Sequence, residues 1–187
     1  VRDVNGCIVT TTVTISQPLA ELSFTQVVTQ VLCFGNNTGA IEITASGGTP
    51  TFEYSIDNGA NFQTSNLFQN LLSGDYDLVV RDVNGCTATT TVTITQPAAA
   101  LSFTQTVTDV LCFGNNTGAI EITAVGGTPA YEYSIDNGAN FQTSNLFQNL
   151  LAGDYDLVVR DANGCTATTN LTITQPTAEL SFTQKIR

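Results

Sequence analysis

Gly74-Asp-Tyr-Asp-Leu-Val-Val-Arg-Asp-Val-Asn-Gly-Cys-Thr-Ala-Thr-Thr-Thr-Val-Thr-Ile-Thr95 is the stretch on which the fold turns. In its first half Tyr76, Leu78 and Val80 fall on one face of an extended chain, the period of two that marks a half-buried strand. In its second half Ala88, Thr90, Val92 and Ile94 do the same, and Asn84-Gly85 between the halves is a hairpin signal. Thr is β-branched and suits a pleated surface, which accounts for its abundance here. Outward from this pair, Ala40-Ile-Glu-Ile-Thr-Ala45 and Phe52-Glu-Tyr-Ser-Ile-Asp57 also alternate, with Ile41 and Ile43 expected inward. Leu22–Leu32 and Leu67–Leu72 supply two shorter or kinked strands, and turn signals at Gly35–Gly39, Gly47–Pro50, Asp57–Gly59 and Ser73-Gly74 separate them all. No window sustains a 3.6-residue period. Six or seven short strands at roughly 8–12-residue spacing predict an all-β fold of immunoglobulin-like β-sandwiches. Tyr76, at the start of the penultimate strand, stands where a tyrosine corner would sit; a plain core Tyr is the alternative.

The pattern occurs more than once. Leu22-Ser-Phe-Thr-Gln26 recurs at 101–105 and again at 180–184, a step of 79 residues. Residues 22–100 laid on 101–179 agree at 68 of 79 positions. The chain therefore reads as tandem repeats. Residues 1–18 are expected to be the C-terminal strand remnant of a preceding repeat, and 19–97 and 98–176 two whole sandwiches. Residues 177–187 are expected to begin the first strand of a following one. Pro97 and Pro176 end ladder pairing at joints of about four residues, which predicts limited bending and an elongated array.

Composition removes whole classes of function. Among 187 residues there is no His, Met or Trp, and Lys185 is the sole Lys. An imidazole base, a Ser-His-Asp triad and a His-ligated metal are excluded with His, and Schiff-base chemistry in the body of the chain is excluded with Lys. Sixteen Asp+Glu against five Lys+Arg give a formal charge of −11, which argues against nucleic acid and anionic membranes as partners. Charged residues are only 11% and apolar ones 42%, so the chain has enough apolar residues to build cores.

Cys33-Phe-Gly35, Gly39-Ala-Ile-Glu-Ile43, Gly47-Gly48, Phe52-Glu-Tyr54, Gly74-Asp-Tyr76 and Asp82-Val-Asn-Gly-Cys86 together resemble the SprB-type repeat of large cell-surface adhesins in gliding and related Bacteroidetes. The resemblance implies an extracellular tandem β-sandwich related to PKD-like domains, exported by type IX secretion. In gliding members such filaments travel along the cell surface.

Five cysteines on the same 79-residue step fit an oxidising exterior. Two pairings are compatible with the repeat. One is internal to each unit, Cys33–Cys86 and Cys112–Cys165. The other crosses between units, Cys33–Cys165. An immunoglobulin-like topology puts Cys33 and Cys86 at opposite poles, beyond the roughly 7 Å Cα limit of a disulfide. In a head-to-tail array the poles of successive units meet, which favours Cys33–Cys165; free thiols are the third possibility. Asp57, Asp82, Asp136 and Asp161 lie in Asn-Gly turns and offer oxygen ligands for calcium. The same sequences are first of all hairpin signals, and no other cofactor or metal is expected. Asp75 and Asp77 share a strand face about 7 Å apart, a spacing glycosidases use, but the pair recurs as Asp154 and Asp156, which points to a solvated face rather than an enzyme. Arg81 and Arg160 are expected in structural ion pairs. Phe34 and Phe62 are expected to plug the sandwich ends, with sugar stacking the alternative.

These readings predict a structural segment of a secreted surface adhesin, with neighbouring repeats of the same chain as partners. Two alternatives remain open: a module binding glycans or surfaces, and a filament in which chains exchange strands.

Overall fold

The computed structural model describes residues 1–184, and among them the chain forms twelve β-strands and no helix. The strands are β1 (Ser23–Thr29), β2 (Gly39–Ser46), β3 (Phe52–Ser55), β4 (Leu67–Leu71), β5 (Gly74–Asp82) and β6 (Thr87–Ile94). The next repeat supplies β7 (Ser102–Thr108), β8 (Gly118–Val125), β9 (Glu132–Ser134), β10 (Leu146–Leu150), β11 (Gly153–Arg160) and β12 (Thr166–Ile173). They make four three-stranded sheets, β1-β2-β4, β3-β5-β6, β7-β8-β10 and β9-β11-β12. In each repeat the first, second and fourth strands form one sheet and the third, fifth and sixth the other. That is the immunoglobulin division of strands, A-B-E against C-F-G.

By compactness the chain divides into two units. One comprises Val1–Val27, Ile41–Phe68 and Asp75–Val92; the other comprises Val28–Ala40, Gln69–Gly74 and Thr93–Arg187. The second unit contains the whole β7–β12 sandwich. Its core joins Ile120 and Ile122 of β8 to Tyr133 of β9, Leu157 and Val159 of β11 and Ile173 of β12, closed by Val110. Period-two alternation puts these residues on the facing sides of the two sheets, and each of the larger apolar side chains contributes about 1.5–3 kcal/mol by leaving water. β11 pairs antiparallel with β12 along its whole length, from Gly153↔Ile173 to Arg160↔Thr166. The Tyr155 hydroxyl donates to the Leu151 carbonyl at 3.0 Å, the bond that defines a tyrosine corner. Gly126 is required by contact as well as by conformation: its φ is +73°, and a Cβ there would overlap the Ala100 carbonyl oxygen.

The first unit repeats the β3–β5 ladder, with Phe52↔Asp82 through Ser55↔Val79 in register. Leu78, Val80, Ile41 and Ile43 are fully buried, as their alternation predicts. Val79 departs from it. It lies on the opposite face from Leu78 and Val80, yet it is 6% exposed. The Asp57–Gln63 loop explains this: Gln63 pairs with Tyr54 through both backbone groups, and Gly59 of the loop approaches Val79. Thr90 departs the other way. Expected inward, it is exposed, as is Thr169 in the second repeat.

Two further expectations are corrected. Residues 1–18 form no strand; they hold one isolated bridge, Arg2↔Ile8. Residues 177–184 likewise carry no strand. The remainder of the expected first-strand start, 185–187, lies outside the described residues.

Candidate functional site

The site grows from a five-residue turn, Asp-x-Asn-Gly-Cys, which occurs at 3–7, 82–86 and 161–165. In the last of these, Asp161 Oδ1 accepts the backbone N–H groups of Asn163 and Cys165, each at 2.9 Å. Its Oδ2 accepts the Thr128 N–H at 2.8 Å. The Asp161 and Cys165 backbones close the turn at 3.0 Å. Asp82 does the same for Asn84, Cys86 and Thr49. Burial alone would raise the Asp82 carboxyl, but these amide donors outweigh it and leave it below the usual carboxylate range. Asp3 holds Asn5 and Cys7 in the same way. A local hydrogen-bond set therefore fixes where each of these cysteines leaves the backbone.

The partner element is the loop after β1. Val31 N–H donates to the Thr95 carbonyl at 3.0 Å and Asn36 N–H to the Cys33 carbonyl at 3.1 Å. Gly35 N–H donates to Gln96 Oε1 at 2.8 Å. These bonds present Cys33 on a defined bend. Cys33 is bonded to Cys165, with their Cα atoms 5.8 Å apart, inside the ordinary range. Both cysteines lie in the second compact unit. Beside the bond, Asn163 Nδ2 donates to the Leu32 carbonyl at 3.0 Å while also reaching Thr128 Oγ1 at 3.0 Å. A cavity of about 400 Å³ adjoins it, lined by Cys33, Phe34, Leu101, Gly127, Cys165 and Thr166 among others. The pairing within units, Cys33–Cys86 and Cys112–Cys165, does not form: Cys7, Cys86 and Cys112 are exposed free thiols. Asn163 was legible only as a turn residue. Its threefold recurrence two positions before a cysteine was the signal that it also serves the junction.

The carboxylates proposed for calcium are engaged by protein donors. Asp57 Oδ1 accepts the Ser55 hydroxyl at 2.6 Å and the Asn61 N–H at 2.9 Å, and Oδ2 accepts Asn61 Nδ2 at 2.6 Å. Asp136 has the same partners in Ser134 and Asn140. The serine hydroxyl, aided by the asparagine donors, lowers each of these two carboxyls to about 2. Asp82 and Asp161 accept the backbone N–H groups of their turns. Among the described residues no three His, Cys, Asp or Glu side chains gather as a metal would need. Asp77 accepts the Thr91 hydroxyl at 2.7 Å and Asp154 that of Thr172 at 2.6 Å, across neighbouring strands.

Arg81 pairs with Glu53 at 2.6 Å, directly opposite in the β3–β5 ladder, and its guanidinium lies 3.9 Å from the Phe62 ring centroid. Arg160, Glu132 and Phe141 repeat the arrangement. Phe62 is thus half-buried under an arginine. Phe34 does not plug an end: it is 46% exposed on the Cys33 loop, where turn geometry leaves its ring outside the core.

Two immunoglobulin-type sandwiches, repeated at 79 residues and tied by a loop-to-hairpin disulfide, define a tandem all-β repeat protein. Residues 25–61 and 104–140 match the SprB repeat, two places one 79-residue step apart. Each match runs from β1 or β7 past the cysteine loop to the Asp-Asn-Gly turn, and stops before the Cys86 or Cys165 hairpin. SprB repeats are found in cell-surface adhesins. No curated protein matches the chain. Solved structures that match include the C-terminal 282-residue fragment of intimin in complex with the intimin-binding domain of its translocated receptor. That likeness has 15% identity and a TM-score of 0.43, and covers 82% of this chain and 64% of the other. The chain thus spans less than two thirds of that fragment's length. Among the described residues no helix is long and apolar enough to cross a membrane.

Proposed function

We propose that this chain is a structural segment of a secreted bacterial surface adhesin, and that its work is to carry tension through successive repeats. The observation that carries the reading is the Cys33–Cys165 bond. A bridge inside each repeat would reinforce one sandwich at a time. A bridge between repeats gives tension a covalent route from residue 33 to residue 165, and the 132-residue span between them is withdrawn from the load. Most strands of both sandwiches lie within that span. If the pairing recurs every 79 residues in a longer array, successive bridges overlap.

Several features support the extracellular setting. Disulfides persist in oxidising compartments, and the resemblance to gliding adhesins carries with it export by the type IX route. The formal charge of −11 keeps neighbouring chains apart. The carboxylates sit in turns or on strand faces with serine, threonine and amide partners, so the reading assigns them to structure rather than catalysis.

Single-molecule stretching of the chain from its two ends tests the proposal. In the oxidised state the 132-residue span should not extend, and a reductant should release roughly 450 Å of additional contour at about 3.3–3.6 Å per residue. Equal contour lengths with and without reductant would remove the covalent route and the mechanical reading with it.

A further inference from the structure

An asparagine loses its side-chain amide most readily when glycine follows it, because glycine brings no Cβ to hinder its own backbone nitrogen. Five Asn-Gly pairs occur, at Asn5, Asn58, Asn84, Asn137 and Asn163. The reaction needs the glycine N–H released and its nitrogen brought round to the asparagine side chain. At Asn5, Asn84 and Asn163 the glycine N–H donates to a backbone carbonyl, that of Asp3, Asp82 or Asp161. At Asn58 and Asn137 it donates to a side chain instead. Gly59 N–H meets Ser55 Oγ at 3.0 Å, and Gly138 N–H meets Ser134 Oγ at 2.9 Å.

Both serines are fully buried, and their hydroxyls are used completely. Ser55 Oγ also accepts the Asp57 N–H at 3.2 Å and donates to Asp57 Oδ1 at 2.6 Å. One donated and two accepted bonds are all a hydroxyl can make. Ser134 does the same with Asp136. The turn adds a second restraint. Asn58 and Gly59 have φ of 58° and 82°, and in the left-handed region the Gly59 nitrogen is turned away from the Asn58 Cβ. The Asn58 side chain itself is exposed to water.

From this we infer that Asn58 and Asn137 are deamidation sites held shut by the buried hydroxyls of Ser55 and Ser134, with water as the only co-reactant. When the turn opens, the Gly59 nitrogen gives its proton to hydroxide and attacks Asn58 Cγ. The new C–N bond closes a succinimide, the Cγ–Nδ2 bond breaks, and ammonia leaves with a proton from water. Water then opens the ring on either side, giving aspartate or isoaspartate; the sum is amide plus water to acid plus ammonia. Isoaspartate lengthens the main chain by one methylene inside the turn. That turn carries the loop whose Gly59 approaches Val79, so the product loosens the cover on the outer face of β5. The chemistry does not rest on the tension-bearing role. For a segment in that role, the serines set how long each repeat keeps its loop.

Residues 53–72 and 132–151 are identical, so one repeat is the control for the other in the same molecule. Ser55→Ala removes the hydroxyl at Asn58 and leaves the one at Asn137. The whole alkylated chain, parent or variant, is held in mildly alkaline buffer, then reduced, cut with trypsin and mapped by mass spectrometry with fragmentation. In the native parent both sites should react at least about tenfold more slowly than in the reduced, urea-unfolded chain, since reaction waits on local opening. In the variant Asn58 should react about fivefold faster than in the parent, the factor expected of one hydrogen bond, while Asn137 keeps its rate. Tyr54 and Gln63 pair through both backbone groups, and their amide hydrogen exchange reports whether the loop has stayed closed. Equal rates in native and unfolded parent would overturn the inference whatever the variant does. An unchanged Asn58, an equal rise at Asn137, or a rise at Asn58 with protection lost at Tyr54 and Gln63 would each remove the serine from its role.

Discussion

Asp57 and Asp136 each hold a turn by accepting a serine hydroxyl, an asparagine side-chain amide and a backbone N–H. Their carboxyls are lowered to about 2 from an ordinary value of 3.8. A depressed carboxyl stabilises the fold when the pH is above its unfolded value, and that contribution fades as the pH falls toward its folded value. The window here runs from about pH 4 down to about pH 2. Urea unfolding of the chain and of Asp57→Asn/Asp136→Asn should show a gap in stability above pH 4 that closes by pH 2. A gap independent of pH would mean the turns do not depend on the charge. The same residues show what a sequence withholds. Asp57-Asn58-Gly59 announces a turn, and it does so equally whether the carboxylate faces a cation or a serine. Ser55 supplies the donor seen here, its hydroxyl 2.6 Å from Asp57 Oδ1; nothing in an alternating Phe-Glu-Tyr-Ser marks that serine as fully buried.

At the scale of elements, strand interiors were legible because burial follows a period of two. Ile41, Ile43, Leu78, Val80 and Ile94 are all buried as their alternation requires. The failures lie where something other than the pleat decides. Val79 is covered by a loop folded back over the outer face, and Thr90 sits on β6 where no side chain covers it. The segment 1–18 has strand composition yet holds one isolated bridge, Arg2↔Ile8, in place of a strand. The corner residue was legible as a position and not as a bond. Tyr155 opens β11, and its hydroxyl ties that strand to the turn before it through the Leu151 carbonyl. Tyr155→Phe keeps the ring and removes that tie, so it should cost about 1 kcal/mol of stability by denaturant titration. No change would make Tyr155 a packing residue only.

At the scale of the molecule, repetition at 79 residues was plain, because 68 of 79 positions agree. The cysteine partner was a different matter. Spacing allows Cys33 to meet Cys86 or Cys165 equally well; only the strand order, A-B-E against C-F-G, separates the loop after β1 from the hairpin of its own repeat. The proposed mechanical role rests on that choice, and the arginines make it measurable. Cleavage after Arg2, Arg81, Arg160 and Lys185 leaves Cys33 in peptide 3–81, Cys86 and Cys112 together in 82–160, and Cys165 in 161–185. The most direct measurement is a non-reduced tryptic map of the alkylated Cys7→Ser monomer. The account expects 3–81 linked to 161–185, with 82–160 carrying two alkylated thiols. Linkage of 82–160 to either flanking peptide would contradict it.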